Sequence, residues 1–320
     1  GVIILAYELT NYLVVGISST ALFDLSYEQK IFETKGLDEY IKYQIEHEKD
    51  ILKPGPGFRL VKKLLRLNEL NPDKRYVEVI ILSRNSANSS LRFFNSIEHY
   101  GLDITRAVLT SGNSIIPYAK ALNVGLFLST NGKDVQDAIN GNIAAGLIYN
   151  YEYKPNEEKL HENDKEIRIA FDGDAVIFSD ESERIFQKEG LQAFAQHEKE
   201  NALKPLPEGP FINFLKTISK IQREFPDNAM PIRTALVTAR SSPAHERVIR
   251  TLRHWDVRID EVFFLGGIRK MDILKAFNAD IYFDDQDSHL KYSRQVVPSA
   301  KVPYKNLSEQ ISIDDLLGNE

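Results

Sequence analysis

Short apolar runs and amphipathic stretches take turns along this chain, the pattern of alternating strands and helices in an α/β protein. Apolar runs at 13–17, 80–83, 167–170, 235–238, 262–264 and 281–283 read as buried strands. Phe211, Phe214, Leu215, Ile218, Ile221 and Phe225 recur at helical spacing, and Pro210 suits the first turn of that helix. Val248, Ile249, Leu252 and Trp255 share one face of a helix begun by Pro243. Ile185, Phe186, Leu191 and Phe194 fall near the same spacing until Pro205 and Pro207 break it. A helical insert at 27–70 and a helix at 89–99 follow the same plan earlier in the chain. These apolar stripes read as core, Trp255 included. The polar stretch 150–166 around Pro155 reads as a linker.

The plan is written twice. Residues 80–84 match 235–239 at an offset of 155 (238 minus 83). The same offset pairs Arg92 with Arg247, Ile104 with Ile259, Gly112 with Gly267, Asn123 with Asn278, Ala145 with Ala300 and Tyr149 with Tyr304. A register held that long without gaps points to two copies of one supersecondary pattern rather than two generic βαβ units aligned by chance. After the first strand of each copy, Asp24 answers Asp172 and Ser26 answers Asp174. Ser83 answers Thr238, Ile115 answers Lys270, and Ser129-Thr130 answer Asp284-Asp285. The first copy lacks the second acid, the ammonium and the paired carboxylates, so it cannot run whatever chemistry the second runs.

That chemistry centres on Asp172-Gly173-Asp174, directly after the strand run 167–170. Residues i and i+2 of an extended segment point the same way, so both carboxylates can face one site. Gly173 lets the backbone approach a ligand closely. Two acids this near need neutralising, which a hard cation with oxygen ligands does. Asp-x-Asp alone is as well a turn. Three further groups stand at strand ends: the Thr238 hydroxyl, Lys270 after Gly266-Gly267, and Asp284-Asp285. Ligand sites of open α/β sheets form at the carboxyl ends of strands. Lys270 read by itself would be a surface lysine.

Composition adds limits. The 320 residues suffice for one large domain or two ordinary ones. The 42% hydrophobic and 27% charged content is that of a globular protein. No stretch approaches the ~18 apolar residues of a membrane span, and the first residues, broken by Glu8 and without a basic leader, do not read as a signal peptide. The absence of cysteine excludes disulfides, thiolate catalysis and cysteine–zinc sites, and is compatible with the cytoplasm. Net charge is -6, with no dense basic stripe for a nucleic-acid polymer.

Asp-x-Asp-x-Val after a strand, followed in order by Thr238, Lys270 and Asp284-Asp285, resembles the four motifs of the haloacid dehalogenase-like phosphatases. The longer strings at 171–183, 238–247 and 283–286 are similar to the cytosolic type I 5'-nucleotidase family, over nearly the whole chain. The resemblance implies an α/β, three-layer Rossmann-like fold with parallel sheets, here duplicated. Residues 1–155 would be the degenerate half and 156–320 the catalytic half, with a helical cap insert at about 181–230. It implies hydrolysis of nucleoside 5'-monophosphates, with AMP a leading candidate. Asp172 would be the nucleophile and Asp174 the acid and base. Thr238, Ala239, Arg240 and Lys270 would contact the phosphate and substrate. Mg²⁺ would be held by Asp172, the backbone carbonyl of Asp174 and Asp285, with Asp284 orienting it or holding a bound water.

Other positions carry less. Ser241 and His245 follow the phosphate threonine, with His245 as well placed on a helix surface. Asp180, Glu181 and Glu183 suit a helix N-terminus, and Ser179 lies beside them. Phe186 and Phe194 could stack on a base or fill core. The residues themselves specify a phosphomonoester and leave three readings open: a nucleotidase, a phosphatase of sugar or other small phosphates, and a nucleotide-sensing or scaffold protein using the first half. A nucleotide effector at the first half and a homo-oligomer are further expectations, a purely structural first half being preferred to the effector.

Overall fold

In the computed structural model, which describes residues 8–151 and 166–305, the apolar runs lie side by side in one ten-stranded sheet. Its strands are β1 Leu13–Ile17, β2 Val77–Ser83, β3 Arg106–Leu109, β4 Leu126–Ser129, β5 Ala144–Ile148, β6 Ile167–Phe171, β7 Ile232–Thr238, β8 Glu261–Phe264, β9 Ile281–Asp284 and β10 Ser299–Lys301. The spatial order is β3-β2-β1-β4-β5-β10-β9-β6-β7-β8. Every neighbouring pair is parallel except β5 and β10, which meet antiparallel with Ala300 opposite Ile148. The fold is therefore α/β with a mostly parallel sheet. β1 and β2 are buried along their whole length, as strands covered on both faces require. One core runs through both halves, from Val15 and Phe127 to Phe171 and Phe283.

Taken inward from either edge, β1–β5 and β6–β10 share the order 3-2-1-4-5. β2 and β7 differ by 155 at both ends (232 minus 77, 238 minus 83), as do β3 and β8, and β4 and β9. The exceptional backbone positions repeat with them. Gly112 (φ 92°) answers Gly267 (φ 89°), and Asn123 (φ 53°) answers Asn278 (φ 58°). The offset is 154 at the first strands (167 minus 13) and still 154 where helices begin at Phe58 and Ile212, so the one extra residue of the second half lies between Ile212 and β7. Ala175, at φ 61°, sits in the turn after β6.

The hydrogen bonds that follow the first strands correct one pairing. Asp172 donates its backbone N–H to Phe283 O at 2.8 Å, and Ser18 donates likewise to Leu128 O at 2.9 Å. Ser18-Ser19-Thr20, not Asp24 and Ser26, therefore stands where Asp172-Gly173-Asp174 stands. Asp24 is exposed past the turn, and its carboxylate accepts the Ser26 N–H at 3.0 Å. A match by motif, at an offset of 148 (172 minus 24) where the strands keep 154, picked the wrong acid.

The insert expected at about 181–230 is two different things. Helix Glu181–Glu200 is broken at Gly190 (φ 82°, ψ −178°) into a hairpin. Helices Ser26–Lys35 and Leu37–Glu46 flank Gly36 (φ 88°, ψ −179°) in the same way, again 154 residues apart (190 minus 36). Helix Ile212–Gln222, by contrast, buries Ile212, Phe214, Leu215 and Ile218 in the main core, and Phe214 meets the Phe171 ring of β6 edge-on at 6.3 Å. It is a crossover helix on the sheet. Periodicity shows which face of a helix is apolar, not which surface receives it.

Most of the linker at 150–166, and the boundary expected at 155, lie outside the described residues. The halves are joined elsewhere as well. Lys63 pairs with Asp280 at 2.7 Å, both almost fully buried, and Asp280 also accepts the Arg168 N–H at 2.9 Å.

Candidate active site

Asp172 follows β6, Thr238 ends β7 and Asp284-Asp285 ends β9, so the parallel register alone brings three strand ends together. Gly266 and Gly267, both at positive φ, turn the chain after β8 into helix Lys270–Phe277, which starts with the expected lysine. Only glycine adopts such angles freely. Lys270 is buried, with its ammonium 2.8 Å from Asp172 Oδ1 and 3.0 Å from Asp284 Oδ2. A Cβ at Gly173 would lie 3.2 Å from Thr238 Oγ1, so the glycine keeps the two strand ends in contact.

Asp284 is fully engaged. It accepts from Lys270, from the Tyr282 hydroxyl, from the Gln286 N–H at 2.8 Å, and pairs with His289 Nδ1 at 3.1 Å. Asp285 is not: its Oδ2 accepts from the Tyr304 hydroxyl, while its Oδ1 is buried without a hydrogen-bond partner. An orphaned carboxylate oxygen in a buried site is costly unless something positive completes it. Asp172 and Asp284 share the ammonium of Lys270, and Asp285 feels the charge of both acids. That donor set, all hard oxygen with one open position, fits a divalent cation. The carboxylates of Asp172 and Asp284 also approach the His289 ring closely enough to share one ion.

The electrostatics reflect this crowding. Burial, with Asp284 and Asp174 nearby, outweighs the Lys270 ion pair and lifts Asp172 to about 6. Burial, Asp172 and Asp284 together push Asp285 up to about 8. Asp284 is equally buried, but Lys270, His289 and Tyr282 bring it down to about 2. Burial alone would lower Lys270; Asp172 and Asp284 overcome it and hold the ammonium well above its ordinary range.

The expected substrate contacts divide. Thr238 is buried, and its hydroxyl accepts the Arg240 N–H at 3.2 Å. Ala239 is exposed at the strand end. Arg240 does not face an open substrate site. Its guanidinium grips Asp174 through Nε at 2.9 Å and Nη2 at 2.6 Å, and its Nη1 binds Glu198. Phe178 and Phe194 cover its plane, with the guanidinium carbon 5.8 and 5.4 Å from their ring centres. Phe194 thus stacks on a cation, and Phe186, read as core, is 44% exposed. Asp180 precedes the hairpin without capping it and pairs with Arg184 instead. Ser241 is exposed, His245 lies edge-on to Phe264, and Trp255 packs on Phe178.

Four neighbours escaped the sequence reading: Glu198, Tyr282, His289 and Tyr304 as a partner of Asp285. Tyr282 and His289 flank Asp284 by two and five residues, a local signal. Glu198 had a subtler one, since an offset of 154 sets it against Gln44 (198 minus 44). A cleft of about 550 Å³ opens beside Asp285, lined by Glu183, Gln187, Gln286 and Tyr304.

Against known proteins, a family model described as 5'-nucleotidase matches residues 5–309. Human cytosolic 5'-nucleotidase 1B is 38% identical over 296 residues, covering 89% of this chain and 48% of that protein. The chain thus spans about half the length of the curated relative it matches. No solved structure matches it.

Proposed function

The chain belongs to the 5'-nucleotidase family, and from that premise we propose that it hydrolyses nucleoside 5'-monophosphates to nucleoside and phosphate at Asp172. One observation carries the reading: Asp172, Asp174, Lys270 and an unsatisfied Asp285 meet at the carboxyl ends of β6 and β9. In the first step a carboxylate oxygen of Asp172 attacks phosphorus. The bond from phosphorus to the ester oxygen breaks, and that oxygen takes its electron pair and a proton from Asp174. In the second step water attacks the aspartyl-phosphate, Asp174 removes the water's proton, and phosphate leaves with Asp172 restored. Lys270 and Thr238 bind the equatorial oxygens, where transition-state charge spreads. Mg²⁺ held by Asp172, Asp285 and the backbone carbonyl of Asp174, with Asp284 orienting the set, would neutralise the carboxylates and the phosphoryl oxygens.

The nucleoside lies in the cleft beside Asp285, under the hairpin at 181–200, which serves as a smaller cap than the one expected. The halves derive from one duplicated unit. In the first, Ser18, Thr20, Ile115 and Thr130 replace Asp172, Asp174, Lys270 and Asp285, so its role is structural. Its hydroxyls satisfy one another, Ser19 with Ser83 at 3.0 Å and Thr130 with Thr20 at 2.6 Å. The relative's printed name supports a cytosolic setting, and among the described residues no helix is long and apolar enough to cross a membrane.

A phosphate-release assay over nucleoside 5'-monophosphates and sugar phosphates, with Mg²⁺ or with chelator, tests the reading. Expected is metal-dependent release from nucleotides in preference to sugar phosphates, lost by at least ~10³-fold in Asp172→Asn. Preference for sugar phosphates would move the assignment to a broader phosphatase. Release unaffected by Asp172→Asn would remove it from this site.

A further inference from the structure

Glu198 is fully buried in the hairpin yet takes no part in the chemistry above. Its Oε2 binds Arg240, whose fork holds Asp174; its Oε1 accepts from Arg247 at 2.9 Å and from Ser182 at 2.8 Å. One carboxylate thus serves two arginines.

The first half is an internal control. Arg92 answers Arg247 and does the same job. Its Nε donates to Asp50 O at 2.8 Å, as that of Arg247 does to Lys204 O at 3.0 Å. Both arginines need a buried anion. Arg92 finds it in Glu28, at 2.6 Å, whereas Arg247 finds it in Glu198. Glu28 answers Ser182 (182 minus 28 is 154), and Gln44 answers Glu198. The carboxylate has therefore changed helices between the halves. Holding the arginine in place works from either position, so that duty does not fix Glu198 where it is. What differs is the neighbour. Arg240 is answered by Asn85, and Asp174 by Thr20, both uncharged. Where the acid is absent, so are its arginine and the carboxylate that anchors the arginine.

We propose that Glu198 and Arg240 are positioning residues for Asp174: Glu198 fixes the guanidinium from the hairpin, and the guanidinium aims the carboxyl that protonates the leaving oxygen. The proposal rests on the hydrolase reading above. A fork that binds both carboxylate oxygens sets orientation as well as distance, and general acid catalysis depends on that geometry. Because the anchor lies on the hairpin, seating of the hairpin over the substrate and aim of the acid are one event.

The test transplants the first half's arrangement. The double variant Ser182→Glu, Glu198→Gln returns a carboxylate to Arg247 but leaves Arg240 without its anchor. Steady-state kinetics are measured for a nucleoside 5'-monophosphate and for an aryl phosphate, whose leaving group needs no proton. Because kcat/KM reports the transfer to Asp172, its sensitivity to the leaving group isolates the acid. Expected is a fall of ~10-fold or more in kcat/KM for the nucleotide, carried by kcat, against less than ~3-fold for the aryl ester. An equal fall for both esters, or no fall, overturns the proposal. If circular dichroism shows the double variant unfolded, Arg240→Lys, which keeps a counter-charge for Glu198 but cannot fork, decides the matter by the same ratio. Parent protein without Asp172-dependent release refutes the hydrolase reading, and the proposal with it. Active parent with an unimpaired variant refutes the proposal alone.

Discussion

At the scale of single residues the site is a balance of buried charge, and Lys270 holds it. Lys270→Met leaves Asp172 and Asp284 facing each other in the core with no ammonium between them. Breaking a buried pair by removing one partner costs about 3–5 kcal/mol. Removing a donor to the transition-state oxygens costs a further ~10²–10³ in rate. Urea denaturation should therefore show a lower midpoint, and phosphate release in the folded fraction should nearly vanish; a fully stable variant would mean that Lys270 does not offset these acids. Asp172, Asp174, Lys270 and Asp284-Asp285 were legible in the sequence because each follows or ends an apolar run, or follows a glycine turn that no other residue makes easily. Arg240 was legible as a position but not as a role. Its partners Asp174 and Glu198 stand 66 and 42 residues away, and nothing local says which of them it meets. Asp24 was misread for the opposite reason, a local motif outweighing the register of the strands, from which it departs by six residues (154 minus 148).

Among elements, the turns that carry the chain from each first strand into its hairpin and back are held by glycine through lack of space. A Cβ at Gly209 would lie 2.4 Å from Phe178 O and 2.6 Å from Val176 O; at Gly55 it would lie 2.8 Å from Ala21 O. The obstacles are backbone atoms, which cannot swing aside, so Gly209→Ala and Gly55→Ala should each cost about 1–3 kcal/mol. Gly209→Ala should also lower kcat, since its segment bonds to the loop after Asp174 through Gly209 N–H and Ile177 O. Gly55→Ala should leave the kinetics near those of the parent. Thermal unfolding and steady-state assays of the pair check this, and equal kinetic damage from both would count against a structural first half. The strands were legible because a run buried on both faces is continuous in apolar residues. The extent of the insert was not, because the crossover helix Ile212–Gln222 and a cap helix present the same apolar stripe.

At the scale of the whole molecule, and among the described residues, two halves with the same strand order meet at a single antiparallel pair, and the second half gathers carboxylates at its strand ends. The common strand spacing of the two halves was legible from the offset; the β5–β10 joint was not, since strand pairing across halves leaves no local signature. The charge asymmetry makes stability depend on pH and metal together. Without metal, Asp172 is held up to about 6 and Asp285 to about 8, both above the ~3.9 of an unfolded aspartate. Between those values the unfolded chain binds fewer protons than the native one, so stability falls as pH rises. Their contribution is complete below about 4 and is lost as pH passes through 6 and then 8. Asp284, brought down to about 2, has the opposite sign, but its loss comes only as pH falls below about 4, outside this window. A divalent cation reverses the trend, because it binds the carboxylates once their protons have gone. The gain in melting temperature from saturating Mg²⁺ over chelator should therefore be larger at pH 8 than at pH 5.5, by several degrees for ~2 kcal/mol of extra stabilisation. Equal gains at the two pH values would mean that Mg²⁺ does not bind through Asp172 and Asp285.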